Sequence, residues 1–335
     1  MTEANTDDVK SMYSRYPYPS PVVDNQLIYD VATLLRVLLP GNDLAGKQIL
    51  DAGCGTSHRL IASAKRFPKA QFTGIDMTRQ SISVGQRLVE QHRVTNVQFE
   101  VHNLLTLEMP QKFDLIISTG VIHHLEDPER GLRNLCRHLT NSGAIIIWHY
   151  HPFGEFHRLL ERDLVRTLWM NKSDLVQGIA LMTELQLTLD SLQYGSTASQ
   201  QQKLDRESAL SVNVDAYLHP IVNAYRFQES IEMFADCEVQ WVALNGFNAA
   251  SDSKLIDLEE VGGDLAYLSL SKKDLFRGKG AAQAYDALSR LDKLKIIELI
   301  VRPTGFTVIA GKDGSLLGSN ARLMGNRTPF QRTGT

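Results

Sequence analysis

The sequence predicts an α/β protein built on a doubly wound, mostly parallel β-sheet with helices on both faces. Three observations predict it. Short apolar runs alternate with segments of helical periodicity between residues 48 and 150. A glycine turn, Gly53-Cys54-Gly55, follows the first run, and a carboxylate, Asp76, ends the second. In an open parallel sheet, ligands bind beyond the carboxyl ends of the strands, where helix N-termini and acidic side chains converge.

The N-terminal segment is predicted to stand apart from this alternation. Residues 12–21 carry three tyrosines and three prolines, and the prolines prevent a regular helix from continuing through this stretch. Since tyrosine is costly to expose, we expect this stretch to lie across another part of the molecule. Residues 27–39 then place apolar side chains at helical spacing, and Pro40-Gly41 ends that helix.

The remaining elements are predicted in chain order. Strands are expected at residues 72–75, 113–119 and 144–148, each after a helical or polar stretch. Residues 153–193 are strongly helical in pattern, and residues 193–205 are polar and indicate a mobile loop. Residues 251–303 are again mainly helical in pattern.

The glycine turn indicates which ligand it suits. A dinucleotide-binding turn has a third glycine where the register here places His58. Asp51 stands two residues before the first glycine, where its charge would oppose a pyrophosphate but attract a cation. The turn therefore suits a ligand with a positive group and a ribose. The plain alternatives are that Asp51 caps the following helix and that Cys54 is a small buried filler.

Four segments, in order over residues 48–128, resemble the motifs of the class I S-adenosylmethionine-dependent methyltransferases of small-molecule type. They read ILDAGCGTS at 49–57, GIDMT at 74–78, VHNLL at 101–105 and FDLIISTGVIHHLEDP at 113–128. Ser57 replaces the last glycine of the first motif, and Asn103 stands where the family commonly has aspartate. The resemblance implies a Rossmann-like, mostly parallel seven-stranded sheet with an antiparallel last strand, helical insertions and an N-terminal lid. It also implies a helix over 217–234, the sixth strand over 238–244 and the last strand over 305–310.

The resemblance also implies a cofactor, S-adenosyl-L-methionine (SAM), whose product is S-adenosyl-L-homocysteine (AdoHcy). It assigns Asp51 and the backbone of Gly53, Cys54 and Gly55 to the methionine end of the cofactor. Asp76 would hold the ribose hydroxyls. The other implied contacts are Met77, Asn103 and Leu104 around the adenine and Thr119 near the methyl group. Asn103 as an ordinary turn residue is the alternative for that position.

Candidate catalytic residues follow from the chemistry that such a cofactor supplies. Its leaving group departs neutral, so a base is needed only when the acceptor starts protonated. His124, His149 and His151 follow the fourth or fifth strand and are the candidate bases, since imidazole titrates near neutral pH. Packing and loop fixing are the alternative for all three. No metal site is expected, because no carboxylate pair accompanies His149 and His151.

Tyr16 is a further catalytic candidate, because it belongs to the segment of tyrosines and prolines. In one interpretation this segment closes over the cofactor as a lid and lends a phenol to the substrate or an aromatic face to the sulfonium. In the other it is a strap that covers apolar surface. Residues 1–40 are thus predicted to form a lid segment and helix.

The remaining domain prediction is one methyltransferase domain over residues 41–312. Helical insertions at about 153–210 and 251–303 are expected to form its acceptor site. Residues 313–335 are expected to be a flexible tail. Neither the acceptor nor the atom that is methylated follows from the sequence.

Composition favours a cytoplasmic enzyme acting on a small or medium-sized organic acceptor. The 35 Lys and Arg residues are balanced by 38 Asp and Glu, so no basic field favours nucleic acid. Three scattered cysteines predict neither disulfides nor a zinc site. The polar N-terminus predicts no signal peptide and no apolar stretch predicts a membrane span. A homodimer and a protein acceptor are left open.

Two other function classes are also left open. A regulatory or catalytically inactive protein that keeps the SAM pocket would have the same motifs. An NAD-dependent oxidoreductase is disfavoured by His58 and Asp51.

Overall fold

The structure is a computed structural model that describes residues 5–23, 27–39, 41–189, 191–193, 201–248, 253–258, 266–312, 317 and 328–329. Most of the predicted tail, 313–335, lies outside the described residues. So do residues 194–200 of the predicted polar loop.

A mixed β-sheet forms the centre of the molecule. The strands are β1 Gln48–Ala52, β2 Gln71–Asp76, β3 Val97–Val101, β4 Phe113–Thr119, β5 Leu139–Tyr150, β6 Ser191–Gln193, β7 Gln201–Lys203, β8 Trp241–Asn248, β9 Ser253–Leu255, β10 Gly305–Gly311 and β11 Thr328–Pro329. Seven of them run in the order β3-β2-β1-β4-β5-β10-β8. The short strands β9 and β11 pair with β8, while β6 and β7 form a separate hairpin.

Strand directions confirm the predicted fold class. β1 runs parallel to β2 and β4, and β4 runs parallel to β5. β10 is antiparallel to both β5 and β8, as predicted for the last strand. The strands β9 and β11 were not predicted. The predicted polar loop is wrong at its ends, because Gln201–Lys203 pairs with Ser191–Gln193.

Helices cover the sheet on both sides. They are α1 Thr6–Arg15, α2 Asp30–Leu38, α3 His58–Arg66, α4 Arg79–His92, α5 Pro128–Arg137, α6 Phe156–Leu168, α7 Leu175–Glu184, α8 Arg206–Asn213, α9 Phe227–Glu232, α10 Lys272–Leu275, α11 Lys279–Asp286 and α12 Arg290–Val301. In the described part of the chain, none has the length and apolar character needed to cross a bilayer.

The helix predicted over 217–234 is wrong in its first half. A π-helical stretch, Val214–Leu218, continues α8 and ends at His219. Pro220 follows, and the residue before a proline is pushed towards extended backbone. His219 accordingly has φ −51° and ψ 129°. Only Phe227–Glu232 of the predicted span is an α-helix.

The helix α1 was not predicted, although its capping signal is local. The Asn5 side chain accepts hydrogen bonds from the N–H groups of Asp7 and Asp8, and the Asp8 side chain accepts one from the Asn5 N–H. This capping box satisfies N–H groups that the first helical turn leaves free. The helix ends at Arg15, two residues before Pro17, as the prolines require.

Alternate residues of the central strands feed two cores, one on each face of the sheet. Leu50 and Ile116 pack towards α5, α9 and α12, whereas Ile49 and Leu115 pack towards α2, α3 and α4. A third apolar cluster, which includes the buried Met12, joins α1 to α6, α7 and the π-helical stretch. The N-terminal segment is thereby packed against the first helical insertion.

Candidate active site

The turn after β1 takes a backbone conformation that favours glycine at three positions. Gly53 has φ +80° and Gly55 has φ +51°. A Cβ on Gly53 would lie 2.5 Å from Cγ2 of Val121, so no side chain fits there. Ser57 also has positive φ, +68°, where the family usually has glycine. The turn is held to the end of β2, because Gly53 N donates to Ile75 O at 2.8 Å.

Two carboxyl groups lie at this edge of the sheet. Asp76 accepts hydrogen bonds from the N–H of Gly55 at 3.1 Å and from the N–H and Oγ1 of Thr78, each at 2.8 Å. Burial raises the pKa of Asp76, and the bonds from Thr78 oppose that rise. Burial also raises the pKa of Asp51 to about 7, which Arg59 opposes and Asp76 reinforces. Such a pair suits a cationic, hydroxylated ligand and disfavours a pyrophosphate.

A cavity opens beside these groups, beyond the ends of β1, β2 and β4. The sequence-predicted site residues on its wall are Gly53, Cys54, Gly55, Asp76, Met77, Asn103, Leu104, Thr119 and His124. The structure therefore brings the four motifs to one cavity. Asp51 does not line the wall, and neither do Tyr16, His149 and His151.

Asn103 presents a hydrogen-bond donor to this cavity. Its Oδ1 accepts the N–H of Leu105 at 2.9 Å, at the start of a short 3₁₀ turn. Because a backbone N–H can only donate, that bond fixes the amide orientation and leaves Nδ2 to donate. Asparagine at this position can thus bond to a ring nitrogen, where an aspartate would accept from an amino group. His102 and Ser81 also line the wall and were not predicted.

His149 and His151 are held in structural positions at the end of β5. His151 Nε2 lies 3.0 Å from Oε1 of the buried Glu298. The ring of His149 packs between Tyr225 and Phe306, and neither of its nitrogens has a hydrogen-bond partner among the described residues. Burial lowers the pKa of His149 to about 3. Tyr16 packs against the apolar cluster that joins α1 to α6 and α7.

His124 is the candidate base that lines the cavity. Its Nδ1 lies 2.8 Å from the carbonyl oxygen of Ile221. Since a carbonyl can only accept, Nδ1 carries the proton of the neutral ring, and Nε2 keeps its lone pair. Burial lowers the pKa of His124, an effect that the charge of Asp215 opposes. The ring is therefore neutral near pH 7 and able to take up a proton.

The N-terminal segment covers the cavity. Thr6, Val9 and Tyr13 from α1, with Tyr18 and Pro19 after it, line the wall. The Tyr18 carbonyl oxygen accepts the N–H of Thr56 at 2.9 Å, which ties the segment to the glycine turn. His58 Nε2 lies 3.3 Å from the carbonyl oxygen of Val22. The residue that replaces the third glycine thus anchors this cover.

Sequence reasoning chose Tyr16, whereas Tyr13 and Tyr18 line the cavity. The signal that could have found Tyr13 is helical spacing. Residues 6, 9 and 13 fall on one face of α1, and Met12 and Tyr16 fall on another. Because α1 was not predicted, the sequence alone did not show which of the tyrosines face the cavity.

Comparisons with known proteins agree with this geometry. Residues 43–208, about half of the chain, match a family model described as a methyltransferase domain. An uncharacterized protein of Synechococcus sp. is 29% identical over 195 residues, which cover 55% of this chain and 47% of that protein. Malonyl-[acyl-carrier protein] O-methyltransferase of Bacillus cereus is 29% identical over 152 residues, which cover 45% and 53%. The chain spans about half the length of the curated relatives it matches.

A solved structure shares the fold. PKMT2 from Rickettsia typhi, in complex with AdoHcy, superposes with a TM-score of 0.53 at 21% identity. The match covers 83% of this chain and 52% of that one. The four motifs, their convergence on one cavity, the strand order and the matching family model together identify the family. The chain belongs to the class I S-adenosylmethionine-dependent methyltransferases.

Proposed function

We propose that this protein transfers a methyl group from SAM to a small or medium-sized organic acceptor. One observation carries the proposal beyond cofactor binding. His124, with its Nε2 lone pair free, lines the same cavity as the cofactor motifs. A neutral imidazole at that position can remove the proton of an acceptor, a step worth about 10²- to 10⁴-fold in rate.

The residues present fit SAM. Asp51 does not line the cavity wall, but its carboxyl accepts no hydrogen bond from the described residues and would pair with the cofactor's ammonium group beside the turn of Gly53 to Gly55. Asp76 would hold the ribose hydroxyls, and Asn103 Nδ2 would donate to the adenine, flanked by Met77. Bound there, SAM would supply an electrophilic methyl group. The sulfur atom that carries this methyl group leaves in a neutral product and needs no proton.

The chain's own contribution would be to position and enclose the acceptor. Residues 5–23 would act as the lid, because Tyr13 and Tyr18 cover the cavity and Tyr18 is tied to the glycine turn. Holding the acceptor in line with the methyl group is worth up to about 7–11 kcal/mol of the barrier. A closed lid also excludes water, which strengthens each electrostatic contact inside.

The first helical insertion supports the acceptor side of the site. The stretch Val214–Leu218 and α6 pack against α1 through the third apolar cluster. The described residues of the second insertion, 251–303, do not reach the cavity wall. We therefore assign the acceptor side to residues 5–23, which reach the cavity wall, with α6 and Val214–Leu218 packed behind them. The side chains of Trp169 and Trp241 are buried in two of the apolar cores.

Methyl transfer from tritiated SAM to a panel of amines, alcohols, thiols and carboxylic acids tests the proposal. We expect at least one class to be methylated, with mass spectrometry identifying the product. His124→Gln should lower turnover about a hundredfold and leave the affinity for AdoHcy within about threefold. Stoichiometric AdoHcy binding without transfer to any class would instead favour the regulatory or inactive protein. Binding of NAD in place of AdoHcy would favour the oxidoreductase.

A further inference from the structure

A buried carboxylate beside the cavity wall forms no ion pair among the described residues. Asp215, in the π-helical stretch, is 6% exposed and accepts a 2.6 Å hydrogen bond from the Tyr13 hydroxyl. Within the described part of the chain, no lysine or arginine forms an ion pair with it. The charge of Arg158 acts on Asp215 from a distance, but the ion pairs of Arg158 and Arg162 are formed with Glu155 and Asp163. A buried charge normally has a partner, so this one indicates a cationic ligand.

Two histidines adjoin this carboxylate, in opposite hydrogen-bonding states. The rings of His124 and His219 stack with centroids 3.8 Å apart. The backbone of Ile221 fixes both tautomers. Its carbonyl oxygen accepts a hydrogen bond from Nδ1–H of His124 at 2.8 Å, and its N–H donates one to Nδ1 of His219 at 3.0 Å. His124 therefore offers a lone pair on Nε2, whereas the neutral His219 carries its proton on Nε2.

This tautomer pattern argues against a metal ion. Side-chain ligand atoms of His124, Asp215 and His219 lie within 4.8 Å of one another, close enough in distance for a metal site. A nitrogen that carries a proton cannot be a ligand, however, and Nδ1 of His219 is already engaged by Ile221. Two ligands remain, fewer than the three protein ligands typical of a catalytic zinc. His219 Nε2 is buried without a partner in the described structure.

Two tyrosines on the cavity wall favour an organic cation. Tyr13 and Tyr18 line the cavity, and the Tyr13 ring contacts His219 with centroids 5.4 Å apart. The face of the Tyr150 ring is already covered by the guanidinium of Arg158. Burial, reinforced by the negative charge of Asp215, raises the pKa of Tyr18 to about 12. The phenols thus stay neutral, and their ring faces attract ammonium groups.

We propose that the acceptor is an amine, which binds as its ammonium ion against Asp215 and loses a proton to Nε2 of His124. This inference rests on the proposed function. The freed lone pair forms a bond to the methyl carbon, and the carbon–sulfur pair stays on the sulfur of neutral AdoHcy. The products are an N-methylated ammonium ion, AdoHcy and one proton, which His124 passes to water. A free amine and a lysine side chain share this chemistry.

Calorimetric titration of AdoHcy-loaded protein with matched ligand pairs tests the amine. The pairs are 2-phenylethylamine with 2-phenylethanol and a lysine-containing peptide with its norleucine counterpart. In one of the two pairs, we expect the amine to bind at least about tenfold more tightly than its uncharged counterpart, because it gains one charge-assisted contact. The pair that shows the preference separates a small amine from a peptide lysine. Methyl transfer to the same ligands should follow the same order.

Asp215→Asn should abolish the preference while the AdoHcy affinity stays within about threefold. The control is Glu207→Gln, which removes an exposed charge from the same helical segment and should change neither quantity. The wild-type comparison of each pair stands even if Asp215→Asn does not fold.

Equal binding of amine and alcohol, absence of amine binding, or an unchanged preference in Asp215→Asn would overturn the inference. Stoichiometric Zn²⁺ or Mn²⁺ binding that is lost in His219→Ala, or loss of transfer in EDTA, would overturn it in favour of a metal site. Methyl transfer to alcohols alone would end the amine proposal and leave the proposed function standing. If the wild-type protein does not bind AdoHcy, both the amine inference and the proposed function are wrong.

Discussion

The two walls of the cavity differ in how their polar groups are satisfied. On the cofactor wall, Asp76 and Asn103 accept hydrogen bonds from groups two residues away or from the glycine turn. On the acceptor wall, Tyr13 and His124 line the cavity, and the buried Asp215 and His219 contact them from behind, so the four residues come from three distant parts of the chain. There, Asp215 forms no ion pair and His219 Nε2 has no hydrogen-bond partner among the described residues.

This difference separates a preformed wall from one that is completed by its ligand. Hydrogen bonds within a motif hold the cofactor residues in place before anything binds. An unsatisfied buried donor or acceptor costs about 1–3 kcal/mol, which a complementary ligand can recover. The cofactor wall therefore defines the cofactor class, and the acceptor wall selects among acceptors. Each prediction below changes one wall and measures whether the other responds.

The largest effect is expected from Asp76→Ala. Loss of two charge-assisted hydrogen bonds to the ribose should weaken AdoHcy binding by about a hundredfold or more. Calorimetric titration measures this change, and circular dichroism checks the fold. Glu90→Ala, an exposed carboxylate on α4, is the matched control and should bind AdoHcy normally. Near-normal affinity in Asp76→Ala would mean that the cofactor is held elsewhere.

The contrast between the walls also explains what the sequence could and could not predict. Asp76, Asn103 and Thr119 were predicted because each lies in a short contiguous motif that resembles one of the family. The Tyr13–Asp215 bond joins residues 202 positions apart, and no local pattern indicates it. The stretch that carries Asp215 was predicted to be a helix only from residue 217 onward. His149 followed a strand end as expected, yet its side chain points into the core between Tyr225 and Phe306.

A smaller effect is expected in the pH dependence of AdoHcy binding, which should involve the cofactor wall and not the acceptor wall. Asp51, with its pKa raised to about 7, must ionise to pair with the ammonium group of AdoHcy. The ionised fraction of such a group rises about tenfold between pH 6 and pH 8. AdoHcy affinity should rise by about the same factor. Titration in buffers of different ionisation enthalpy should detect proton release on binding near pH 6.

Asp51→Asn is the test of that assignment. The amide keeps the shape of the carboxyl but cannot ionise, so affinity should become nearly independent of pH over this range. Asp215→Asn should retain the wild-type pH dependence, because it belongs to the other wall. A pH dependence that survives in Asp51→Asn would assign the proton to another group.

The smallest effect is expected from His149→Leu, which belongs to neither wall. At pH 7 the substitution removes two unpartnered buried nitrogens and should raise the free energy of unfolding by about 1 kcal/mol. Burial depresses the pKa of His149 in the folded state to about 3, whereas an unfolded histidine titrates near its ordinary value of 6.5. Acid therefore favours unfolding of the wild-type protein as the pH falls below about 6.5.

The advantage of His149→Leu over the wild-type protein should consequently grow between pH 7 and pH 5.5 in urea unfolding experiments. The exposed His157 supplies the control, since His157→Leu removes a histidine that water already solvates and should show no such growth. AdoHcy affinity should not change in either variant. A His149→Leu protein that is less stable at both pH values would mean that the imidazole has a polar partner, such as a buried water, and that its burial at the end of β5 stabilises the fold. Loss of AdoHcy binding in that variant would instead connect the strand end to the cofactor wall, and the separation of the two walls would fail.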